Sequence, residues 1–520
     1  MKSSCLLGLL TLMLFSFTGI YAVERVNNTQ SSNSVHTALQ SFPETITRDI
    51  DATQHFRPFP ELTVHRNTSL QKATTPVLAE FSRDAYGKAK ITRCWLNLDE
   101  MWDYRTREFN FNFQVGVDKY KDIKEKHRET WNSEVESPVH FYDYLNAFST
   151  HSEEIMLTIR RYERDILDGK LPVSKEDYKM IFKTGLKHYK KLFPNIRYVQ
   201  VGNEYHLNGF MGATDEEYYK FYKLGYEAVN EVNEEMRLEG NHKILVGHSP
   251  PTTGDAMTRL DKILGLFSMD NNITKRIDFI SWHEYSKPIS ETANREKVIR
   301  SLMKKHGLSE NLQLFITEHD PYHGNRSVDQ LEFHTLNSAY LPNSLYFTSI
   351  LSPGIIIFPW VLYHDRNIQT KFMWFDGPNE PDTKAFEMKM LPLGASMKML
   401  SKHKGREIKV NNSLDSNDLV IASVQKDKII LQAINYDAPK DVKLLLNNIY
   451  KIFPELKNGK MKVIKYLIDS HHSNCLTKPE HPGGLEKVDE YEVEIDDNAN
   501  VFEHKELEKY GLVLWELIKM

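Results

Sequence analysis

Short apolar segments alternate with longer amphipathic segments between residues 76 and 404, and this alternation limits the folds open to the chain. The candidate strands include KAKITRCWLNL, NIRYVQVGNE, RIDFISWHEYS and LQLFITEHD. Between them lie helical patterns such as SKEDYKMIFKTGLKHYKKLF, which opens on Ser174 and carries acidic residues in its first turn. Strands that alternate with helices in this way predict parallel βαβ units.

The length of this region, about 300 residues, fits a (β/α)8 barrel. A doubly wound open sheet is the alternative, but no glycine-rich phosphate loop follows any candidate strand. We therefore predict an α/β fold in which a TIM barrel occupies residues 76–404.

A different pattern begins at about residue 405. Short strands such as DLVIASVQ, KIILQAINY and LVLWELI are separated by turn-rich spacers, which predicts an antiparallel β-sandwich over residues 405–520. Residues 23–75 are polar and are predicted to form a loose N-terminal segment that can add strands to this sandwich.

The first 22 residues have the layout of a secretory signal peptide, with Lys2, an apolar stretch and then small and polar residues up to Ala22. A retained N-terminal anchor is the alternative, and no later apolar run is long enough to cross a bilayer. Five Asn-x-Ser/Thr sequons are candidate glycan acceptors, namely Asn27, Asn67, Asn272, Asn325 and Asn411. We expect a secreted or lysosomal glycoprotein with no membrane span after signal removal.

Charge and cysteine content exclude other classes of protein. The net charge of −5 mixes both signs without a long basic run, which argues against nucleic acid as a partner. Signal removal leaves Cys94 and Cys475, too few for a disulfide scaffold. One disulfide between Cys94 and Cys475 is an alternative, but the pattern favours Cys94 as a buried strand residue.

Polar residues stand where the candidate strands end. They are Asn203 and Glu204, His283 and Tyr285, Glu318 and His319, and Trp360. The carboxyl ends of barrel strands meet at one mouth, so these side chains are expected to converge. A pair of carboxylates there suits glycoside cleavage, with one protonating the leaving oxygen and the other attacking the anomeric carbon or directing a water. Each residue alone has an ordinary structural interpretation, and only the combination favours catalysis.

These residues lie in segments that resemble glycoside hydrolase family 39, the β-xylosidase and α-L-iduronidase group. The resemblance runs from ITRCWLNLDEMWDY through VQVGNE, YYKFYKLGYEAVNEVN, IDFISWHEYS and LFITEHDP to FPWVLYHD, and it includes LQAINYD in the predicted sandwich. It implies that Glu204 is the acid/base, that Glu318 is the nucleophile, and that His283 and Tyr285 form the family's His-x-Tyr motif. The remaining predicted substrate-binding residues are Asn203, Arg93, Trp95, His319 and Trp360.

The chain departs from the family pattern at three positions. Gly202 replaces the usual tryptophan before Asn-Glu, Tyr205 replaces the proline after it, and Arg93-Cys94-Trp95 replaces an Arg-x-His strand end. Because both glutamates remain, we expect the chemistry to be retained on an altered substrate.

The predicted function is a secreted retaining glycoside hydrolase, β-xylosidase-like, acting on an oligo- or polysaccharide. One alternative is a lysosomal α-L-iduronidase-like exoglycosidase of glycosaminoglycans, for which Arg93, Arg366 and Lys371 are candidate partners of an anionic sugar. Another is an inactive secreted carbohydrate-binding protein. We predict no cofactor and no metal, because His319, Asp320 and His323 have no matched ligand pair elsewhere in the chain. The sequence leaves the sugar and the oligomeric state open.

Overall fold

The computed structural model describes residues 44–68, 75–115, 139–252, 254–321, 330–362, 373–376, 387–457, 459–478, 483–495 and 499–520. The predicted signal peptide and the sequons at Asn27 and Asn325 lie outside these residues. Within them, no helix combines the length and the apolar character that a membrane span requires.

Eight parallel strands form the barrel, and two strands precede it. The preceding strands are β1 (Thr45–Asp51) and β2 (His55–Pro58). The barrel strands are β3 (His65–Asn67), β4 (Ala89–Asn97), β7 (Ser152–Arg160), β8 (Ile196–Val201), β9 (Leu245–His248), β10 (Phe279–Tyr285), β11 (Gln313–Asp320) and β12 (Ile355–Pro359), while β5 (Trp102–Asp103) and β6 (Glu108–Phe109) form a small hairpin. The strands follow one another in chain order around the sheet. A backbone hydrogen bond of 3.1 Å from the Leu362 N–H to the Asn67 carbonyl joins its two ends. The predicted barrel is confirmed, but its predicted start at residue 76 is wrong, because the first barrel strand, β3, lies within the predicted N-terminal segment.

Helices connect the strands. They are α1 (Thr75–Tyr86), α2 (Leu98–Met101), α3 (Phe141–Thr150), α4 (Glu163–Asp168), α5 (Lys175–Leu192), α6 (Asp215–Glu235), α7 (Ala256–Met269), α8 (Ile289–Ala293), α9 (Arg295–Lys305), α10 (Gln330–Leu351), α11 (Pro392–Lys402) and α12 (Ile449–Ile452), with 3-10 turns at Gly240–His242 and Pro454–Leu456. Capping boxes begin two of the helices. Ser174 pairs with Asp177 at the start of α5, and Thr214 pairs with Glu217 at the start of α6.

Two barrel strands are not indicated by the sequence pattern. β3 has only three residues, His-Arg-Asn, and none of them is apolar. β7 begins with Ser-Glu-Glu, and its short apolar run, IMLTI, does not by itself distinguish a strand from a segment of buried helix. Both strands are held by their neighbours in the barrel, since β3 pairs with β4, and β7 pairs with β4 and β8.

The barrel interior is layered. An apolar floor consists of Ile91, Met156, Phe279, Phe315 and Phe358. Above it, the Arg93 Nε donates to Gln200 Oε1 at 3.0 Å, and the Gln200 Nε2 donates to Ser281 Oγ at 2.9 Å and to Thr317 Oγ1 at 3.3 Å. This polar layer supports the mouth of the barrel, where strand C-termini present their side chains.

The C-terminal region contains two packed sheets. Its strands are β15 (Arg406–Ile408), β16 (Asp418–Val424), β17 (Lys428–Asn435), β18 (Lys440–Asn447), β19 (Lys460–Ile468), β20 (Glu486–Glu494), β21 (Asn500–Leu507) and β22 (Leu512–Lys519), preceded by the hairpin of β13 (Met373–Asp376) and β14 (Glu387–Met390). A seven-stranded sheet has the order β2-β15-β16-β17-β22-β19-β20, and a three-stranded sheet has the order β1-β18-β21. The strands that precede the barrel therefore extend both sheets.

The central strands of the seven-stranded sheet, β16, β17 and β22, are buried on both faces. Ile430 and Leu514 belong to the same apolar core as the barrel helices, whereas their strand neighbours Leu431 and Trp515 belong to the core between the two sheets. Double burial explains why KIILQAINY and LVLWELI are continuously apolar rather than alternating. The predicted sandwich is present and packs on the barrel.

Cys94 and Cys475 are both buried, and no disulfide joins them to each other. Burial, the main cause, raises the pKa of the Cys94 thiol to about 12. The Cys94 thiol is therefore a packing group, as the strand pattern predicts.

Candidate active site

The two predicted catalytic glutamates meet at the C-terminal mouth of the barrel. Glu204 follows the end of β8 by three residues, and Glu318 lies near the end of β11. One oxygen of each carboxylate and Nδ1 of His283 all lie within 4.8 Å of one another. All three side chains are buried, so their mutual interactions are only weakly screened by water.

His283 bridges the two glutamates. Its Nδ1 lies 2.8 Å from Glu204 Oε1 and 3.3 Å from Glu318 Oε2. Burial, the largest cause, lowers the pKa of His283 to about 3, even though the nearby Glu318 acts in the opposite direction. The imidazole is therefore neutral at physiological pH and acts as a hydrogen-bonding group rather than as a counter-ion.

Two further groups hold the Glu318 carboxylate. Arg93 donates from Nη1 to Glu318 Oε1 at 2.6 Å and from Nη2 to Asn203 Oδ1 at 2.7 Å. The Tyr285 hydroxyl donates to Glu318 Oε2. Burial and the neighbouring carboxylates raise the pKa of Tyr285 well above its usual value of 10, so the hydroxyl remains a donor. The predicted residues Arg93, Asn203, Tyr285 and Glu318 therefore form one connected group.

The backbone turns sharply between β8 and Glu204. Gly202 has φ +84° and Glu204 has φ +40°, in the left-handed region that side chains other than glycine rarely adopt. The Glu204 N–H donates to the Pro250 carbonyl at 3.2 Å, which anchors the turn. Strained backbone of this kind is enriched at functional sites.

The two departures beside Glu204 have local structural reasons. The left-handed conformation at Gly202 requires glycine, so the tryptophan usual in the family cannot occupy this backbone without strain. Tyr205 is fully buried, donates to Asp215 Oδ1 at 2.5 Å and stacks on Tyr218 with ring centroids 4.1 Å apart. Tyr205 thus ties the turn to the start of α6.

A β-bulge directs Glu318 into the mouth. Phe315 and Thr317 both face the barrel interior, so regular alternation would turn His319 inward and Glu318 outward. The strand pairing instead contains one extra residue. Ile316 pairs with Trp282, and the next pair along is Glu318 with His283. The extra residue is Thr317, and it moves Glu318 to the inner face.

The same bulge places His319 on the outer face. Its Nδ1 lies 2.9 Å from the Glu284 carbonyl and its Nε2 lies 2.8 Å from Ser344 Oγ on α10. Both ring nitrogens are thus engaged by protein atoms away from the mouth. The geometry gives His319 a packing role, in contrast to the substrate contact predicted for it.

The two predicted tryptophans occupy different positions. Trp95 is buried in the wall beside Arg93, its Nε1 donates to the Thr68 carbonyl at 2.5 Å, and the guanidinium groups of Arg93 and Arg160 lie 4.3 and 4.4 Å from its ring centroid. Trp360 is only partly buried at the end of β12, where its N–H donates to the His319 carbonyl at 2.9 Å. Trp360 is therefore the better placed of the two to contact a sugar.

Arg160 is a site residue that the sequence pattern does not indicate. It ends β7, donates from Nε to Asn97 Oδ1 at 3.0 Å and lies over Phe210 at 5.6 Å. A pocket beside Asn203 is lined by Arg160 to Asp165, Gly202, Asn203, Tyr205, Phe210 and Met211. Recognising β7 as a barrel strand would have placed Arg160 at the mouth. Arg366 and Lys371, the other candidates for an anionic sugar, lie outside the described residues, as does His323.

Glu204, His283 and Glu318 also form a donor set of the kind that can hold a metal ion. The Arg93 guanidinium, 2.6 Å from Glu318, places a buried positive charge beside this set. Repulsion by that charge opposes a cation, so the group is better suited to proton transfer than to metal binding.

Solved structures share this fold. A monomeric β-xylosidase from Caulobacter crescentus CB15 has 13% sequence identity and a TM-score of 0.60, covering 91% of this chain and 100% of that chain. A GH39 enzyme from Xanthomonas axonopodis pv. citri has 11% identity and a TM-score of 0.63, covering 94% and 100%. A bacterial orthologue of human α-L-iduronidase has 12% identity and a TM-score of 0.62, covering 92% and 84%.

No protein-family model matches the chain, and no curated protein matches it in sequence. At identities of 11 to 13% the structural likeness establishes the fold, which is GH39-like. The activity has to be argued from the site itself.

Proposed function

We propose that the chain is a glycosidase that cleaves O-glycosidic bonds with retention of configuration. The observation that carries the proposal is that a Glu204 oxygen and a Glu318 oxygen lie within 4.8 Å of each other at the barrel mouth. Retaining glycosidases hold their carboxyl groups about 5–5.5 Å apart, whereas inverting enzymes leave roughly 6.5–9.5 Å for a water. The short separation supports a direct attack by one carboxylate.

In the first half-reaction, Glu318 attacks the anomeric carbon while Glu204 gives its proton to the departing glycosidic oxygen. A covalent ester forms between the sugar and Glu318, and the leaving alcohol carries the proton away. In the second half-reaction, Glu204 removes a proton from water, which attacks the same carbon and releases Glu318. Two inversions give net retention.

The neighbouring side chains support this division of roles. Arg93 and Tyr285 both donate to Glu318, which holds its carboxylate in place for attack. His283 Nδ1 lies 2.8 Å from Glu204 Oε1, so the neutral imidazole is a hydrogen-bond partner of the proposed acid. Asn203 keeps its amide nitrogen available for a sugar hydroxyl because Arg93 engages its oxygen.

The hydrogen bonds of Arg93 also indicate the kind of sugar that the site accepts. Its charge is directed at Glu318 and Asn203, and this favours a neutral sugar, as in a β-xylosidase, over a uronic acid. An inactive carbohydrate-binding protein would not need two buried carboxylates held in this geometry. The predicted signal peptide supports a location of the proposed enzyme outside the cell or in a lysosome.

A mechanism-based label tests the proposal. A panel of aryl glycosides identifies the sugar, and the matching 2-fluoro glycoside should then modify Glu318 in the peptide containing LFITEHDP. NMR at early times should show a product with the configuration of the substrate. Glu284→Gln is a matched control, because Glu284 is a buried glutamate in the same sheet that pairs with Arg295 on α9. Inversion at the anomeric carbon, or a label on another carboxylate, would overturn the assignment.

A further inference from the structure

Asn67 is a buried residue of β3 that reaches across to the bulge in β11. Its Nδ2 donates to the Thr317 carbonyl at 2.7 Å. Thr317 is the extra residue that turns Glu318 into the barrel mouth. Asn67 therefore contacts the peptide that immediately precedes the proposed nucleophile.

Asn67 is itself held firmly. It pairs in register with Arg93 on β4, and its own carbonyl accepts from the Leu362 N–H at 3.1 Å where the barrel closes. Adjacent strands thus supply two side chains to the same segment of β11. Asn67 holds the backbone before Glu318, and Arg93 holds the Glu318 carboxylate.

A bulge disrupts the regular ladder of backbone hydrogen bonds. A buried carbonyl that loses its partner destabilises that conformation relative to others in which it is paired. Without the Asn67 amide, the bulged form of β11 is less favoured. A regular strand would then direct His319 inward and Glu318 outward.

We propose that Asn67 is a positioning residue for Glu318, acting through the Thr317 carbonyl to hold the bulge that directs the nucleophile. This inference rests on the proposed retaining mechanism. It also conflicts with the expectation that the Asn67-Thr68-Ser69 sequon carries a glycan. The nitrogen that a glycan would modify is the donor to Thr317, and it is buried.

The test measures how fast the 2-fluoro glycoside labels Glu318 in Asn67→Leu, which keeps the approximate shape of the residue and removes the donor. We expect the labelling rate to fall about 100-fold, because small displacements of a reacting group cost rates of this order. The dissociation constant of the free sugar should change less than about threefold, because Asn67 acts on the nucleophile and not on sugar binding. A merely structural role would not separate these two quantities.

Asn67→Asp gives a second measurement. Its introduced carboxyl can donate to the Thr317 carbonyl only when protonated, so the labelling rate relative to wild type should rise as pH falls. Asn67→Leu should show no such recovery. Asn233→Leu is the matched control: Asn233 is a buried asparagine that bonds Ile244 at the opposite end of the barrel, and its loss should leave the labelling rate within about twofold.

The outcomes separate the two proposals. If wild-type Glu318 is not labelled by any 2-fluoro glycoside in the panel, the proposed function is wrong. If wild type is labelled and folded Asn67→Leu is labelled equally fast, the positioning role is wrong. If neither Asn67 variant folds, Asn67 is required for the fold as a whole and the positioning role is likewise overturned.

Discussion

Arg93 and Glu318 are separated by 225 positions in the chain, and yet Arg93 Nη1 lies 2.6 Å from Glu318 Oε1 inside the barrel. The arginine is fully buried, so this pair is little screened by solvent. Its planar guanidinium also reaches Asn203 and Gln200. One side chain therefore aligns the proposed nucleophile with a proposed sugar-binding amide.

Arg93→Lys should lower kcat/KM about 100-fold, because a single ammonium group cannot meet Glu318, Asn203 and Gln200 together. Steady-state kinetics with an activated aryl glycoside checks this. Arg197→Lys is the control, since Arg197 lies at the N-terminal side of the barrel, where it donates to the Gly240 carbonyl at 3.0 Å and pairs with Glu154. Wild-type kinetics in Arg93→Lys would mean that the guanidinium geometry is not needed.

Glu204→Gln should slow the hydrolysis of substrates with poor leaving groups by about 100-fold or more, because the lost acid must protonate the departing oxygen. Activated aryl glycosides need little protonation and should lose less in their first step. Comparing kcat/KM over a series of leaving groups measures the difference. Equal losses across the series would show that Glu204 is not the acid.

Stability should fall in acid because several histidines are buried in the neutral form. Burial lowers the pKa of His65, His283 and His403 to about 3 and that of His248 to about 4. In the unfolded chain these histidines take up protons near pH 6.5. Their contribution to the free energy of unfolding is therefore fully present above that pH and is lost as the pH falls toward their pKa values in the folded protein.

His403→Gln isolates one of these groups away from the site. Between about pH 6 and 4, each such histidine makes the free energy of unfolding fall by about 1.4 kcal/mol per pH unit. Urea unfolding at several pH values gives the slope of the free energy of unfolding against pH. In His403→Gln this slope should be smaller by the amount that one proton contributes. The exposed His242, changed to glutamine, should leave the slope as it is. An unchanged slope in His403→Gln would contradict a buried neutral imidazole.

Removal of residues 405–520 should give insoluble protein, because the barrel would lose the sheet that covers part of its apolar surface. A single substitution tests the contact between the seven-stranded sheet and the barrel without removing the sheet. Leu514→Ala should lower the free energy of unfolding by about 2–5 kcal/mol, since Leu514 is fully buried against the barrel core. Val501→Ala, at a half-exposed position, should cost much less. A soluble, active fragment ending near residue 404 would show that the second domain is dispensable.

Glycan occupancy should differ among the sequons. Asn411 is exposed, and Asn272 lies in a surface turn whose next residue, Ile273, is almost completely exposed. Asn67 is buried and should remain unmodified. Peptide mass spectrometry of protein secreted from eukaryotic cells checks all three positions. A glycan on Asn67 in folded protein would contradict both the burial and the hydrogen bond to Thr317.

Much of the architecture follows from local patterns. Helical periodicity with Ser174 as a cap predicts α5, and apolar runs predict β4, β8, β10 and β11. β3 is not predicted because it consists of three polar residues, and β7 is not predicted because its apolar run alone does not distinguish a strand from a buried helix. Because these strands are not predicted, the positions of Asn67 on β3 and Arg160 on β7 in the barrel are not predicted either.

The order of amino acids puts Glu204, His283, Tyr285 and Glu318 at the ends of strands, and these residue types indicate the class of chemistry open to the chain. The inward orientation of Glu318 and the outward orientation of His319 come from the strand pairing in the folded barrel. Strand alternation assigns every second side chain to the same face, and one extra residue at Thr317 reverses that assignment. The bulge depends on contacts from Asn67 and on the strands paired with β11, which lie far away in the chain, so no local pattern around LFITEHD could have revealed it.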